Sequence, residues 1–421
     1  MLKYRFPLCL MCLSPVTAHA MADVSDIFKP YVSDSVMYDS NLFRQNSSVG
    51  HTYLNPSTGQ KLIKNDVMNQ ATVGSAVNYD LGRQKLVLDL KLSYNSFLNN
   101  SFLDNVSSND RVAWQWQLGK QLSGDVGYNY VRAMGGFTNT TFFGLDMISD
   151  NNAFTNLNYA WHPRWRVRTG FDFLDSQHSA SARKSLDRQL YTGSIGVDYT
   201  TPSSNSAGLR YAYTDGSYPN RQITATSTTD NKYQQNTVNS LLQWNLTSKI
   251  SFNGNVGYTS RQYPDFSNRN FNGPTYTLTL KWMPVSKVVL SLSGWRELST
   301  WSDQTASYIV TEGFSLSPMW QVSPKLALTA KFSRQTLDYA GDVQKCDPLN
   351  PQSCLNSSTN NGLQRHDTVL SGQVAVNYTP VQNAELSLGY QGATRDTNYK
   401  INSLLQNYTF NSVFVSALFR F

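Results

Sequence analysis

The chain has 421 residues, of which 40% are hydrophobic, 15% charged and 13% aromatic, with a net charge of +7. Its 24 Tyr and 9 Trp exclude a disordered chain, which is poor in aromatic residues. A chain that is low in charge, polar on average and rich in Tyr and Trp suits strands with one polar and one apolar face. The small net positive charge does not by itself indicate a partner. We expect no nucleic-acid partner.

The first predicted element is a cleavable signal peptide at residues 1–20. Lys3 and Arg5 form a basic start, Phe6 to Leu13 form a short apolar core, and Ala18-His19-Ala20 forms a small-x-small cleavage site. Cleavage after Ala22 is the alternative. No later stretch approaches 18 apolar residues, so no transmembrane helix is predicted. We therefore expect residues 21–421 to form one exported domain, which could be periplasmic, secreted or a β-barrel.

A hairpin unit recurs from about residue 65 onward, and each unit consists of an alternating strand, a tight polar turn and a second strand. Most turns have an aromatic residue at or just before them, such as Trp116, Trp161 and Trp244, which is what an interfacial girdle requires. The eight predicted turns centre on Leu81-Gly82-Arg83, Gly119-Lys120-Gln121, His162-Pro163-Arg164, Thr201-Pro202-Ser203, Leu246-Thr247-Ser248, Met283-Pro284-Val285, Val322-Ser323-Pro324 and Tyr378-Thr379-Pro380.

Alternation between apolar and polar residues alone would also fit a soluble sandwich, but two asymmetries favour a transmembrane barrel. The connections alternate between short turns and longer polar segments, which is the pattern of outer-membrane barrels. The chain also ends on an apolar face that finishes with Phe419 and Phe421. The longer segments include 44–64, 135–150, 216–232 and 340–364.

These observations predict an all-β, antiparallel, up-and-down transmembrane barrel of about 18 strands, with 16 to 20 possible. Strands at roughly 28–38 and 407–421 would close the ring. Such a barrel would lie in the outer membrane of a Gram-negative cell, surrounded by its lipid, with both termini in the periplasm. We expect Phe419 and Phe421 to act as the signal for the outer-membrane assembly machinery.

The sequence has no catalytic constellation, no metal-binding pattern and no cofactor motif, so we expect a protein that is not an enzyme. Cys9 and Cys12 would leave with the signal peptide. The remaining pair, Cys346 and Cys354, is predicted to form a disulfide in the oxidising periplasmic environment.

The face predicted to line the pore carries basic residues. Arg164, Arg166 and Arg168 share one face of a strand because strand side chains alternate. Other pore-lining candidates are Lys91, Arg210, Lys281 and Lys331, with Asp89, Asp172, Asp198 and Glu385 as opposing acids. Two interpretations stay open. The charges are a mixed ladder that hydrates and stiffens the wall, or they are a basic track for an anionic polymer.

Several segments resemble one family. They are Phe28-Lys29-Pro30-Tyr31-Val32-Ser33, Tyr38-Asp39-Ser40-Asn41-Leu42-Phe43-Arg44, Tyr79-Asp80-Leu81-Gly82-Arg83-Gln84, and the stretch from Trp116 to Gly124. The family is the EpsL-like outer-membrane polysaccharide-biosynthesis barrel of exosortase-linked exopolysaccharide gene clusters, related to porins of the second β-barrel porin class. The likeness is clearest over residues 23–175.

The resemblance implies a passive conduit for an exopolysaccharide, anionic if the basic track is used, with periplasmic export proteins as further partners. It supplies no catalytic residues and does not account for the two cysteines. Two alternatives remain open. One is a general diffusion porin or a porin for small sugars or anions. The other is a barrel that conducts nothing and scaffolds an export complex.

Overall fold

The computed structural model describes residues 27–46, 61–138, 142–221, 232–265, 267–299, 308–340, 364–401 and 404–421, together with Leu54, Gly59 and Thr140. Within these residues, no helix combines the length and the apolar character needed to cross a membrane. The predicted signal peptide at residues 1–20 and the cysteines Cys346 and Cys354 lie outside the described residues, so both expectations stay predictions.

Strands make up nearly all of the described chain. They are β1 (Phe28–Asp39), β2 (Asp66–Leu81), β3 (Gln84–Phe97), β4 (Asn105–Leu118), β5 (Leu122–Met134), β6 (Met147–His162), β7 (Trp165–His178), β8 (Arg188–Thr200), β9 (Ser206–Ser217), β10 (Tyr233–Asn245), β11 (Ile250–Gln262), β12 (Phe271–Val285), β13 (Val288–Ser299), β14 (Tyr308–Ser323), β15 (Leu326–Ala340), β16 (His366–Val381), β17 (Ala384–Thr397), β18 (Lys400–Ile401), β19 (Leu404–Leu405) and β20 (Tyr408–Arg420). Short 3-10 helices occupy Ser101–Leu103, Ser181–Leu186 and Ser267–Arg269.

Eighteen of these strands form one closed antiparallel barrel. From β1 to β17 each strand pairs with the next one in the chain, and β17 pairs with β20. The ring closes where Tyr31 to Asp39 of β1 pair with Ser412 to Arg420 of β20. The small hairpin of β18 and β19 stands apart from this sheet. The predicted fold class, its strand count and its two closing strands are therefore confirmed.

Connections at one end of the barrel, here called the short-turn end, are a few residues long. Gly82 and Gly119 in two of these turns have positive φ angles of 65°, a conformation that costs glycine little. The other end, here called the long-loop end, carries the connections that include 40–65, 135–146 and 341–365. The turn of a hairpin fixes the register of its two strands. It therefore also fixes which side chains of each strand face the lumen and which face outward.

Two of the predicted turns are misplaced. Met283, Pro284 and Val285 belong to β12, and Tyr378, Thr379 and Pro380 belong to β16, whereas the turns follow at residues 286–287 and 382–383. The pairing register shifts between Trp282 and Val285 and between Tyr378 and Val381. Proline has no N–H to donate to the ladder and is accommodated at such bulges, so here it marks the last residues of a strand.

The outward face of the wall is apolar. Alternate residues such as Leu90, Leu92, Val256 and Phe332 are exposed although they are large and hydrophobic. Exposed aromatic rings collect near the short-turn end, where Trp161 and Trp165 lie in a stacked arrangement with centroids 6.1 Å apart. An exposed apolar band with an aromatic rim is the surface that a lipid bilayer covers.

The two residues of the predicted assembly signal end the closing strand. Phe419 lies on the apolar outward face and is exposed. Phe421 follows the last strand residue, and its backbone N–H donates a hydrogen bond to the carbonyl oxygen of Pro30 at 3.0 Å. The terminal residue thus joins the seam between the first and last strands. Its role in assembly stays a prediction.

Candidate functional site

The lumen face is identified by a contact between β17 and a connection that does not adjoin β17. The guanidinium Nη1 of Arg395 on β17 donates a hydrogen bond to the backbone oxygen of Thr138, 2.6 Å away, in the connection between β5 and β6. The strands β20, β1, β2, β3 and β4 lie between β17 and β5 along the wall. A bond between these places has to pass through the interior. Arg395 alternates with the exposed Tyr390 and Leu388, so its face is the lumen face.

By this alternation, six of the seven predicted pore-lining residues lie on the lumen face. Arg166 and Arg168 lie on β7, Arg210 on β9, Lys281 on β12 and Lys331 on β15, each in the half of its strand next to the short turn, whereas Lys91 lies near the middle of β3. Arg164 differs, because it lies in the turn between β6 and β7 rather than on the strand. The basic residues therefore form a belt around the short-turn half of the lumen rather than one stripe.

The charges of this belt are only partly paired. Arg168 contacts Asp198 of the neighbouring strand β8 through its Nε atom. Among the described residues, Arg166, Lys281 and Lys331 make no side-chain hydrogen bond or ion pair with one another or with a carboxylate, and all three are exposed. Their charges are available to a solute inside the lumen. The wall thus has a paired site at Arg168 and Asp198 and three unpaired positive charges at Arg166, Lys281 and Lys331.

Residues 135–146, here called the lumen loop, reach across the interior. Phe137 and Phe143 of this loop pack on Phe43 from the connection between β1 and β2, with ring centroids 4.8 and 5.9 Å apart. The buried apolar cluster also includes Leu42, Leu62, Phe97 and Leu103. The loop therefore rests on a hydrophobic base along the β1–β4 side and narrows the lumen there.

One end of the lumen loop is fastened to β7 and the 3-10 helix that follows it. Asp146 receives a hydrogen bond from His178 Nδ1 at 2.7 Å and another from the backbone N–H of Ala180 at 3.0 Å. Arg183 lies 3.6 Å from the same carboxylate and donates to the hydroxyl of Thr140 at 2.5 Å. These contacts hold the base of the loop against the inner wall.

The far end of the lumen loop meets a buried charge cluster, here called the β16–β17 cluster. Asp367 is fully buried and accepts hydrogen bonds from Arg365 Nη2 at 2.6 Å and from Tyr339 at 3.1 Å. Thr397 also donates to this carboxylate. Arg395 Nη1, which holds Thr138, lies 3.8 Å from Asp367. The buried carboxylate of Asp367 thus stabilises the guanidinium groups of Arg365 and Arg395, and Arg395 holds this end of the lumen loop.

Sequence reasoning missed this constriction, since its partners are far apart in the chain. His366 shows the same limit: its Nδ1 atom lies 2.5 Å from Asp338 on the neighbouring strand, a partner that the spacing of the sequence does not indicate. Within the described ranges, no group of His, Cys, Asp and Glu is arranged to hold a metal ion.

Acid should release the lumen loop only well below neutral pH. Burial raises the pKa of Asp146, but hydrogen bonds from His178 and Ala180 and the charges of His178 and Arg183 outweigh it and hold the pKa below its ordinary value. A carboxylate with a lowered pKa contributes its stabilisation above its unfolded-state pKa, about 3.9, and loses it as pH falls through the lowered value. Current noise in bilayer recordings should therefore stay constant from pH 7 to 5 and rise below about pH 4.

The control for this expectation is Asp146→Asn, which cannot carry the charge at any pH. Its noise should already be raised at pH 7 and should respond less to acid. Noise in the unaltered protein that grew between pH 7 and 5, and was abolished by this substitution, would contradict the assignment.

No protein-family model matches the chain, and no curated protein sequence matches it. Solved structures do. The outer-membrane protein OpdK of Pseudomonas aeruginosa is similar with a TM-score of 0.51 and 10% identity over 94% of this chain and 100% of that chain. OccK2 (OpdF) of Pseudomonas aeruginosa gives a TM-score of 0.52 with 10% identity, over 94% and 98% of the two chains. A BenF-like porin of Pseudomonas fluorescens gives 0.50 with 12% identity, over 94% and 99%.

The fold is therefore that of the 18-stranded outer-membrane porins, with a wall that is apolar outside and partly basic inside. At this level of identity the likeness establishes the fold alone. It leaves the EpsL-like resemblance unconfirmed.

Proposed function

We propose that the protein is an outer-membrane diffusion porin for small anionic solutes, with its long-loop end outside the cell and both termini in the periplasm. The observation that carries the proposal is the set of unpaired basic residues Arg166, Lys281 and Lys331 on the lumen face. In a narrow lumen with low-dielectric walls, charges of one sign focus the field and raise the local concentration of the opposite ion.

The lumen loop supports a small solute over a polymer. It is fastened at Asp146 and reaches the β16–β17 cluster through Thr138, so the mouth is narrowed by an anchored segment. A flexible polysaccharide would need a continuous wide path. The porin alternative of the sequence analysis is thus favoured over the exopolysaccharide conduit that the EpsL-like resemblance implied.

Two of the structurally similar porins have been crystallised with carboxylates. OpdK was solved with vanillate and OccK2 (OpdF) with glucuronate, at TM-scores of 0.50 to this chain and identities of 10% and 9%. Those ligands belong to those proteins. They agree with the chemistry that the lumen of this chain offers, because guanidinium and ammonium groups bind a carboxylate by charge-assisted hydrogen bonds.

The mechanism is passive. A solute carboxylate that passes the lumen loop meets Lys331, Lys281 and Arg166 on successive parts of the wall. Each can replace part of its hydration shell. Exposed side chains bind weakly because water screens them, and weak binding at several sites lets the solute enter and leave again.

Liposome swelling tests this proposal. Vesicles with the full protein should swell faster in sodium glucuronate than in glucose, a neutral sugar of similar size. The variant Arg166→Gln, Lys281→Gln, Lys331→Gln should lose most of that preference. The matched variant Lys120→Gln, Lys249→Gln, Lys287→Gln, which removes three charges in the short turns, should keep it. Equal rates for both solutes would refute the anion preference. No swelling with any solute would favour the scaffold alternative, and passage of long dextrans would favour the polymer conduit.

A further inference from the structure

The outward face of β12–β17 carries an arginine that does not line the lumen. Arg334 on β15 alternates with the lumen-facing Lys331 and Ser333 and follows the exposed Phe332 on the outward face. Across the ladder it is opposite Phe314 on one side and Leu370 on the other, both exposed. A guanidinium thus stands between two apolar side chains on the face that lipid covers.

The charge of Arg334 has no partner in the described part of the protein. The nearby carboxylate, Glu312, is already occupied: Arg296 Nη1 donates to it at 2.8 Å and the hydroxyl of Tyr276 at 2.9 Å. Arg334 makes no hydrogen bond or ion pair with a described residue. An unpaired Arg on the lipid face is costly in the hydrocarbon and nearly free of cost at the headgroups, so its height in the membrane matters.

Arg334 lies at the long-loop edge of the exposed apolar band. Its partners Phe314 and Leu370 are the last exposed large apolar residues of β14 and β16 in that direction. The next outward residues of these two strands, Glu312 and Thr368, are polar. An Arg at this edge can extend its long side chain toward the lipid headgroups.

A groove runs down the outward face directly below Arg334. It has a volume of about 770 Å³, and its lining includes Phe332, Leu370, Val374 and Tyr390. Its floor is a pair of glycines, Gly372 and Gly392, which lie directly opposite each other on β16 and β17. A Cβ atom on Gly372 would lie 3.5 Å from the Phe332 ring, so the missing side chains create the depression. The groove is apolar, and its volume is large enough to take a hydrocarbon chain.

We propose that this surface binds a phosphorylated, acylated lipid of the outer leaflet, with one acyl chain over Gly372 and Gly392 and a phosphate against Arg334. A positive group without a partner, placed at the long-loop edge of the apolar band and at the top of an apolar groove, is complementary to a lipid that combines a phosphate and an acyl chain. The assignment rests on the orientation proposed above. It does not depend on which solutes cross the lumen.

The test measures lipid retention by the full protein, purified in detergent and titrated with bisphosphorylated lipid A under native mass spectrometry. Arg334→Gln removes the charge, and Gly372→Leu fills the groove without touching the charge. Each should weaken binding about tenfold, the effect of losing one charge-assisted contact or one buried chain segment. Dephosphorylated lipid A should bind both Arg334→Gln and the unaltered protein equally weakly, and millimolar inorganic phosphate should not compete.

Two matched controls keep the result specific. Arg132→Gln removes another exposed outward Arg on β5, which is opposite Ser108 and Ser149 rather than apolar residues. Gly193→Leu adds a side chain at an outward glycine on β8 that has open space around it. Both should bind as the unaltered protein does. Equal weakening by Arg132→Gln would reduce the effect to net charge and overturn the proposal, as would unchanged binding in Arg334→Gln and Gly372→Leu.

Discussion

Replacing Asp367 by Asn should destabilise the long-loop end of the barrel more than any other single change in the lumen. Asp367 is fully buried and lies within 4 Å of two guanidinium groups, at 2.6 Å from Arg365 and 3.8 Å from Arg395. Removing one partner of a buried ion pair leaves a charge uncompensated and costs about 3–5 kcal/mol. Because Arg395 also holds Thr138 of the lumen loop, that loop should detach at its far end.

The measurement is proteolysis of the folded barrel, together with the denaturant concentration at which its gel mobility shifts. The barrel should still form, because the backbone hydrogen bonds between its strands are unaffected. The lumen loop should be cut faster, and the denaturant concentration at the midpoint of the mobility shift should fall. Asp338→Asn is the control. Asp338 lies opposite His366 on the adjacent strand, as half of an exposed pair, and such pairs contribute about 0–1 kcal/mol. Equal effects of the two substitutions would show that the β16–β17 cluster does not fasten the loop.

Shortening the lumen loop should raise the conductance severalfold. With residues 137–144 replaced by two glycines, neither Phe137 nor Phe143 would pack on Phe43, and Arg395 would lose Thr138. The lumen would then be bounded on this side by the barrel wall, and barrels of 16–18 strands leave an aqueous channel. Planar bilayer recordings should show a larger, steady current and passage of larger neutral sugars.

An equally long Gly-Ser replacement separates length from anchoring. It fills the same space but lacks the aromatic contacts. We therefore expect a mean current between those of the unaltered protein and the shortened variant, with frequent transitions between current levels. A shortened variant with the conductance of the unaltered protein would mean that the lumen loop does not limit flow.

The wall of this protein could be predicted from its sequence because the signals are local. Alternation assigns each side chain to one face, and turns such as Gly82 and Gly119 give the strand boundaries directly. Where a bulge precedes the turn, as at Pro284 and Pro380, the proline was mistaken for the turn itself. The basic residues on β7, β9, β12 and β15 followed from the same alternation.

The constriction could not be predicted in this way. Arg395 and Thr138 are separated by 257 positions, and Asp146 and His178 by 32, so no periodicity connects them. Thr138 takes part through its backbone oxygen, which any residue would supply. The position of Arg334 above an apolar groove could not be predicted either, because the groove depends on two glycines from different strands that lie opposite each other.

The most direct test of the central claim is the reversal potential of the purified protein in a planar bilayer under a tenfold KCl gradient. If the unpaired Arg166, Lys281 and Lys331 govern what enters the lumen, the potential should have the sign of chloride preference. It should move toward zero when all three are changed to Gln and fall further as salt screens the field. A potential near zero or of the cation sign in the unaltered protein, unchanged in the triple variant, would contradict an anion-selective porin.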